Sequence, residues 1–150
     1  MKTTKTLNTA KAFEITEYCN VLLNPAEEYF ETAPEAEVDR KGNLTFDFVL
    51  RIPSQPVPTD SPTITVPVCS IDDVYDSADL YWEVASALVM PDNLNVFLDL
   101  DWCKEVFGVT DSDIDEMKEN IQEVFPQIVQ AFFNAAYLPD EEEGMKVFSD

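Results

Sequence analysis

The sequence predicts a single α+β domain, residues 1–150, in which a small antiparallel sheet of about three to four strands packs against amphipathic helices. Apolar and polar residues alternate from Leu44 to Ile52, which is typical of a half-buried strand. Elsewhere, apolar residues recur every three or four positions, as they do on one side of a helix. Because 45% of the 150 residues are hydrophobic, the chain can bury a core of its own despite its high charge.

The N-terminal third is predicted to contain a helix and a β-hairpin. Helical spacing extends from about Ala10 to Leu23 and stops at Asn24–Pro25, because the residue before a proline resists helical geometry. A short helix is predicted to follow at Ala26–Thr32. The strand at Leu44–Ile52 comes after a turn, so Glu35–Asp39 is predicted to be its hairpin partner.

Two further strands are predicted beyond the hairpin. Apolar residues alternate again at Ile64–Val68, after a proline-rich connection at Pro53–Pro62. Pro67 favours an edge position, because proline has no N–H group to donate to a neighbouring strand. Leu94–Leu100 also alternates and is predicted to be a strand, with a helix that continues to Phe107 as the alternative.

A helix with two chemically different sides is predicted from Ser70 to Met90, with Ser70 and Asp73 as its N-cap and N3 residues. At about 100° per residue, one side is apolar and contains Val74, Ala78, Tyr81, Ala85 and Leu88. The opposite side, which we call the first acidic face, consists of Asp72, Asp76, Asp79 and Glu83. Trp82 and Phe97 are the aromatic residues that we expect to be exposed, and an exposed tryptophan beside carboxylates can anchor a partner.

The longest predicted helix runs from about Asp111 to Tyr137, with Thr110 as its N-cap and with a kink or split at Pro126. Its buried side is predicted to contain Ile114, Met117, Ile121, Val124, Phe125, Ile128 and Phe132. The side that faces away, which we call the second acidic face, consists of Asp115, Glu116, Glu119 and Glu123. Residues 1–9 and the acidic tail, residues 139–150, are predicted to be mobile.

The charge of the chain is strongly negative and unevenly distributed. Thirty acidic and nine basic residues give a net charge of −21. Residues 52–150 hold 21 of the acidic residues and three lysines, and no basic residue lies between Ile52 and Cys103. Such a chain repels nucleic acids and anionic membranes and attracts basic proteins. We therefore expect a basic protein as partner, and no direct contact with nucleic acid or membrane.

Most enzyme classes need residues that this sequence lacks. It has no histidine, and its three isolated glycines cannot form a phosphate-binding or dinucleotide-binding loop. Asp111, Asp113 and Asp115 have the spacing of a calcium loop, but Glu116 and Gln122 stand where glycine and glutamate are needed. We interpret these acids as a helix-capping cluster. We expect a non-enzymatic protein with no cofactor and no bound metal.

The cysteines and the N-terminus indicate the compartment. Cys19, Cys69 and Cys103 are widely spaced and odd in number, which fits free thiols in a reducing environment. The N-terminal segment lacks the apolar stretch of a secretory signal, and no apolar run approaches the length of a membrane span. The expected location is the cytoplasm of a bacterium or of a phage-infected host cell.

The two acidic faces lead to a functional prediction. Residues three or four apart on a helix lie about 5–6 Å apart, which is of the same order as the spacing of phosphates along a nucleic acid strand. We predict an acidic binding protein that mimics nucleic acid and inhibits a DNA-binding or RNA-binding protein or a nuclease. In size and charge the chain resembles small phage anti-defence proteins, such as anti-CRISPR and anti-restriction proteins, and nuclease-immunity proteins. The predicted partner contacts are all eight residues of the two faces.

Two alternatives stay open. The chain also resembles type III secretion chaperones in its size, its charge and its predicted sheet between helices. That resemblance implies an acidic cytosolic adaptor, usually a homodimer, and an exposed apolar sheet face would favour it. The other alternative is a carboxylate-only metal-dependent enzyme, in which Asp99 and Asp101 at a strand end share a cation such as Mg²⁺.

Overall fold

A computed structural model describes residues 7–55, 61–138 and 146–148. In this part of the chain, a three-stranded antiparallel sheet packs against helices, which confirms the predicted α+β class. The elements in chain order are α1 (Thr9–Leu23), β1 (Glu35–Val38), β2 (Asn43–Val49), β3 (Thr63–Ser70), α2 (Ser77–Val89), α3 (Pro91–Phe97), α4 (Trp102–Phe107) and α5 (Asp111–Tyr137). Two short 3₁₀ helices cover Asn24–Tyr29 and Ile71–Asp73.

The sheet has the strand order β1-β2-β3, so β2 is the central strand. The predicted hairpin is confirmed, with Glu35 opposite Asp47 and Val38 opposite Leu44. Its turn is closed by the Asp39 carboxylate, which accepts hydrogen bonds from the backbone N–H groups of Lys41 and Asn43. The carboxylate therefore stabilises the connection that sets the register of the two strands.

The edge position predicted from Pro67 is also confirmed. β3 lies at one edge of the sheet, and Pro67 is opposite Thr45. The register of β2 and β3 shifts between Leu44 and Thr45, next to this proline. An irregular pairing is expected there because proline cannot donate a hydrogen bond to the ladder.

The core forms where α5 crosses the inner face of the sheet. The side chains of Leu44, Phe46 and Phe48 alternate inward along β2 and are buried. The ring of Phe48 lies 4.9 Å from that of Phe125, and the ring of Phe46 lies 6.0 Å from that of Phe132, measured between centroids. These aromatic contacts join the central strand to the middle and the C-terminal half of α5, whose predicted apolar side is buried.

The predicted limits of α5 and its N-cap are confirmed. The Thr110 hydroxyl accepts a hydrogen bond from the N–H of Asp113, and the Asp113 carboxylate accepts one from the N–H of Thr110. This reciprocal pair is a capping box that satisfies two free donors at the helix start. Asp113 is buried, and its carboxylate also accepts hydrogen bonds from the N–H and the hydroxyl of Ser54.

The predicted split at Pro126 is wrong, because α5 continues through this residue as one helix. Pro126 removes one backbone donor, but its ring lies on the exposed side of the helix. Phe125 and Ile128 on the other side are buried, so packing of both halves against one core outweighs the missing hydrogen bond. A kink at this position stays a prediction.

The strand predicted at Leu94–Leu100 is wrong. Pro91 begins α3, and the N–H groups of Asn93 and Leu94 donate to the carbonyl of Met90. Leu94 and Phe97 are half-buried against the core. These residues also satisfy helical spacing, so the period-two pattern did not distinguish strand from helix. The alternative of one helix to Phe107 is wrong as well, since α3 ends at Phe97 and α4 begins at Trp102.

The helix predicted to begin at Ser70 begins seven residues later, at Ser77. Ser70 caps only the short 3₁₀ helix, and the backbone at Asp76 is extended. Residues 146–148 pair with this extended segment: the N–H of Ser77 donates to the carbonyl of Lys146, and that of Phe148 donates to Tyr75. The chain therefore stays extended here because a distant segment satisfies its backbone groups.

The C-terminal contact is anchored by an aromatic side chain. Phe148 is buried, and its ring lies 5.5 Å from the ring of Tyr18 on α1. The sequence did not predict this contact. Most of residues 1–9 and 139–150, which were predicted to be mobile, and part of the connection at Pro53–Pro62 lie outside the described residues.

The aromatic core gives a first test of the fold. Phe48→Ala is expected to lower the free energy of unfolding by about 3–5 kcal/mol, because it leaves a cavity between β2 and α5. Phe13→Ala is the matched control: this side chain is 62% exposed on α1, and the change should stay within about 0.5 kcal/mol. Urea unfolding followed by circular dichroism measures both values. Equal losses in the two variants would contradict the assigned core.

Asp113 gives a test of pH dependence. Burial raises the pKa of its carboxyl group, but the hydrogen bonds from Thr110 and Ser54 outweigh burial, so the pKa lies below its usual value. A carboxyl group with a lower pKa in the folded state stabilises the fold above its unfolded pKa, about 3.9, and loses that contribution at lower pH. The advantage of the wild type over Asp113→Asn should therefore be constant near neutral pH and shrink below about pH 4.

Urea unfolding of both proteins over a series of pH values measures this advantage. Asp115→Asn, which removes an exposed carboxylate from the same helix, corrects for the change in net charge. An advantage that grows as the pH falls would contradict the assigned role of Asp113.

Candidate interaction surface

The structure separates the four residues of the first acidic face. Asp72 lies in the 3₁₀ helix before α2 and not on α2 itself. Asp76 is the N-cap of α2, where its carboxylate accepts a 2.9 Å hydrogen bond from the N–H of Asp79. The Asp79 carboxylate in turn accepts a 3.0 Å hydrogen bond from the N–H of Tyr75. The prediction that these four residues lie together on one side of a single helix is therefore wrong.

Glu83, the last residue of the first acidic face, is half-buried beside Cys69 of β3. Burial is the main cause that raises the pKa of the Cys69 thiol to about 12, and the charge of Glu83 adds to it. Lys11 from α1 is buried in the same region, with its ammonium group 5.2 Å from the ring centroid of Tyr75. Glu83 thus belongs to the packed contact between α1, β3 and α2 and is only partly available to a partner.

The second acidic face is present as predicted on the outward side of α5. All four of its side chains, Asp115, Glu116, Glu119 and Glu123, are exposed. Glu116, Glu119 and Glu123 form no side-chain hydrogen bond or ion pair with any residue that the structure describes. At a rise of 1.5 Å per residue, the four carboxylates cover about 12 Å of the helix axis.

The basic residues near this face are few. Lys104 of α4 forms an ion pair with Asp111, and that contact is the main cause that raises the pKa of Lys104. Lys118 is half-buried on α5 itself. With Lys104 paired at the helix start, the row from Glu116 to Glu123 keeps its negative charge.

The carboxylates considered for metal binding do not assemble into a site in the described residues. Asp99 and Asp101 are exposed in the turn between α3 and α4. No group of three or more ligand-type side chains that could hold a metal occurs within residues 7–55, 61–138 and 146–148. Asp113 closes the capping box and Asp111 pairs with Lys104, so the interpretation of these acids as a capping cluster is confirmed for Asp113, while Asp115 is exposed and caps nothing among the described residues.

An apolar groove of about 420 Å³ lies between α2 and α5. We call it the α2–α5 groove, and its lining residues are Tyr81, Val89, Pro126, Val129, Gln130 and Phe133. The ring of Tyr81 lies 5.4 Å from that of Phe133 and 5.8 Å from that of Tyr137. Trp82, 61% exposed, donates a 3.2 Å hydrogen bond from its indole N–H to the hydroxyl of Tyr137. These rings form an aromatic rim at one end of the groove.

The sequence did not predict the α2–α5 groove, because its lining residues come from two helices that are far apart in the chain. Tyr81 was assigned to the buried side of its helix, but it is half-buried and forms one wall of the groove. The predicted exposure of Trp82 is confirmed. Phe97 is half-buried, with its ring 6.5 Å from that of Phe125, so the predicted exposure of this residue is wrong.

The outer face of the sheet is mostly polar in the described residues, with Val49 and Pro67 as apolar members. Thr45 and Asp47 of β2 and Thr65 of β3 point away from the core, and the Thr65 hydroxyl donates to the Asp47 carboxylate. Glu35 and Glu37 are exposed on β1. An apolar outer face, which would favour a peptide-binding chaperone, is therefore not formed by these strands.

The comparisons with known proteins add no identification. No protein-family model, no curated protein and no solved structure matches this chain significantly. Within the described part of the chain, none of the helices combines the length and the apolar character needed to cross a membrane.

The repulsion within the second acidic face gives a third prediction. Glu119 lies three residues after Glu116 and four before Glu123, and like charges at these spacings cost about 0.2–0.5 kcal/mol per pair. Glu119→Gln is therefore expected to raise the free energy of unfolding slightly in low salt. In about 1 M NaCl, where the Debye length is about 3 Å, the gain should disappear. A loss of stability in Glu119→Gln would show that the carboxylate stabilises the fold.

Proposed function

We propose that this protein is a non-enzymatic acidic binding protein that inhibits a DNA-binding or RNA-binding protein or a nuclease by mimicking nucleic acid. The observation that supports the proposal is the row of exposed carboxylates on α5, Asp115, Glu116, Glu119 and Glu123. A basic surface suited to phosphates is attracted to such a row by the same electrostatic force.

The spacing of the row is compatible with this role. Its four carboxylates cover about 12 Å of helix axis, and one strand of duplex DNA carries a phosphate about every 3.4 Å. The row therefore offers about as many charges as the same length of one DNA strand. Because α5 is packed against the core along its other side, these charges are held in place before the partner binds.

The charge around the row supports a basic partner as well. The α2 and α3 helices contain no lysine or arginine, and Lys118 is the one basic residue of α5. Asp72 and Asp73 are exposed at the start of the α2 region and extend the negative field. In this proposal the contacts come from the second acidic face, and the first acidic face contributes only to long-range attraction.

The proposed setting is the cytoplasm of a bacterium or of a phage-infected cell. Restriction and CRISPR effectors and toxic nucleases act there on nucleic acid, and an inhibitor of the anti-defence or immunity type blocks the basic channel of such an enzyme. Occupation of that channel needs no catalytic residue on the inhibitor.

The proposal is tested by capture of partners from a lysate of the source cell. The expected result is one dominant nucleic-acid-binding protein that is released by raised salt and by competing duplex DNA. Glu116→Lys, Glu119→Lys and Glu123→Lys combined in one variant should weaken this binding at least about tenfold, because attraction becomes repulsion. Isothermal titration with the purified partner measures the change.

A matched control variant has the same net charge as the triple variant of α5. Glu17→Lys, Glu27→Lys and Glu37→Lys combined change three exposed carboxylates on other elements and should preserve most of the affinity. Equal losses in both triple variants would mean that net charge alone determines binding. A partner that resists high salt, or no partner at low salt, would contradict the proposal.

A further inference from the structure

The α2–α5 groove and the second acidic face lie on the same outward side of α5. Glu119 and Glu123 precede Pro126 by seven and three residues, and residues three or four apart on a helix are neighbours. The exposed positions of α5 are therefore mostly acidic in its first half and neutral or aromatic in its second half. A partner that lies along α5 contacts carboxylates first and the groove next.

We propose that the α2–α5 groove binds apolar side chains of a basic amphipathic helix on the partner, while the lysines and arginines of that helix contact the second acidic face. This inference rests on the proposed function and specifies the part of the partner that is recognised. Helices commonly bind in apolar grooves through side chains one turn apart.

The dimensions of the groove fit such an occupant. A volume of about 420 Å³ accommodates a few side chains, and an apolar lining is typical of binding sites. From Glu119 to Tyr137 the α5 axis extends about 27 Å, which corresponds to a helix of about five turns. Trp82 and Tyr137, held together by their hydrogen bond, present the kind of exposed aromatic surface that contributes strongly to binding.

The charge of the surface favours a basic helix over a second copy of this chain. A second copy offers little positive charge to Glu119 and Glu123, because α2 and α3 contain no lysine or arginine and α5 contains Lys118 alone. The net charge of −21 per chain adds repulsion at longer range. A lysine-rich segment meets attraction at the same positions, so charge complementarity identifies the occupant.

The test uses two synthetic helical peptides of about 18 residues, or about 27 Å. Both carry the same number of lysines; one has leucine at two positions one turn apart, and the other has alanine there. Fluorescence anisotropy of the labelled peptides measures their affinities for the full chain. The leucine peptide is expected to bind at least about tenfold more tightly, because its side chains are buried in the groove.

Variants of the groove test whether it is the site that binds the leucine side chains of the peptide. Trp82→Ala and Val129→Thr should each reduce the affinity ratio of the two peptides toward one, since they alter the rim and the wall of the groove. Phe13→Ala is the matched control, because Phe13 on α1 is 62% exposed, as Trp82 is 61% exposed. It should leave the ratio unchanged. Thermal unfolding verifies that each variant is folded.

The outcomes separate this inference from the proposed function. The groove is overturned as the binding site if the wild type binds the leucine and alanine peptides with about equal affinity. It is also overturned if neither Trp82→Ala nor Val129→Thr changes the ratio of the two affinities. Binding of both peptides that weakens equally in Glu119→Gln/Glu123→Gln supports the acidic face whatever the ratio. If the leucine peptide keeps its full wild-type affinity in Glu119→Gln/Glu123→Gln, the result supports the groove and counts against the charge-based function.

Discussion

The contact between α5 and the central strand β2 determines most of this structure. Phe48 packs on Phe125 and Phe46 packs on Phe132, so the middle and the C-terminal half of a 27-residue helix are attached to the sheet. Because that contact buries one side of α5, the other side must face solvent. Its outward carboxylates and its groove with α2 therefore follow from core packing.

The first acidic face illustrates how the same residue type serves different purposes. Asp76 and Asp79 satisfy backbone donors at the start of α2, where a carboxylate also interacts favourably with the helix dipole. Glu83 lies within the packed contact near Cys69. Residues 146–148 pair with the chain beside these side chains. The carboxylates of this face are thus largely engaged within the protein, whereas those of α5 remain available.

The surface of α5 combines two forces with different ranges. Attraction between charges extends over about a Debye length and weakens with salt, so it mainly increases the rate of encounter with a basic partner. Contact with an apolar groove acts only at close range and is not screened, so it mainly slows dissociation. A partner that uses both Glu123 and the nearby groove would bind quickly and still be retained at moderate salt.

The sequence by itself determined the elements whose pattern is long and uninterrupted, the strand within Leu44–Ile52 and the helix Asp111–Tyr137, together with the exposed carboxylates of that helix. It did not determine the secondary structure of Leu94–Leu100, because a short apolar pattern fits both the two-residue period of a strand and the 3.6-residue period of a helix. Tertiary structure alone decided which acidic face is free and where the groove lies. The reason is that the start of α2 depends on hydrogen bonds from residues 146–148, and the groove depends on the packing of α2 against α5, two contacts between segments that are far apart in the chain.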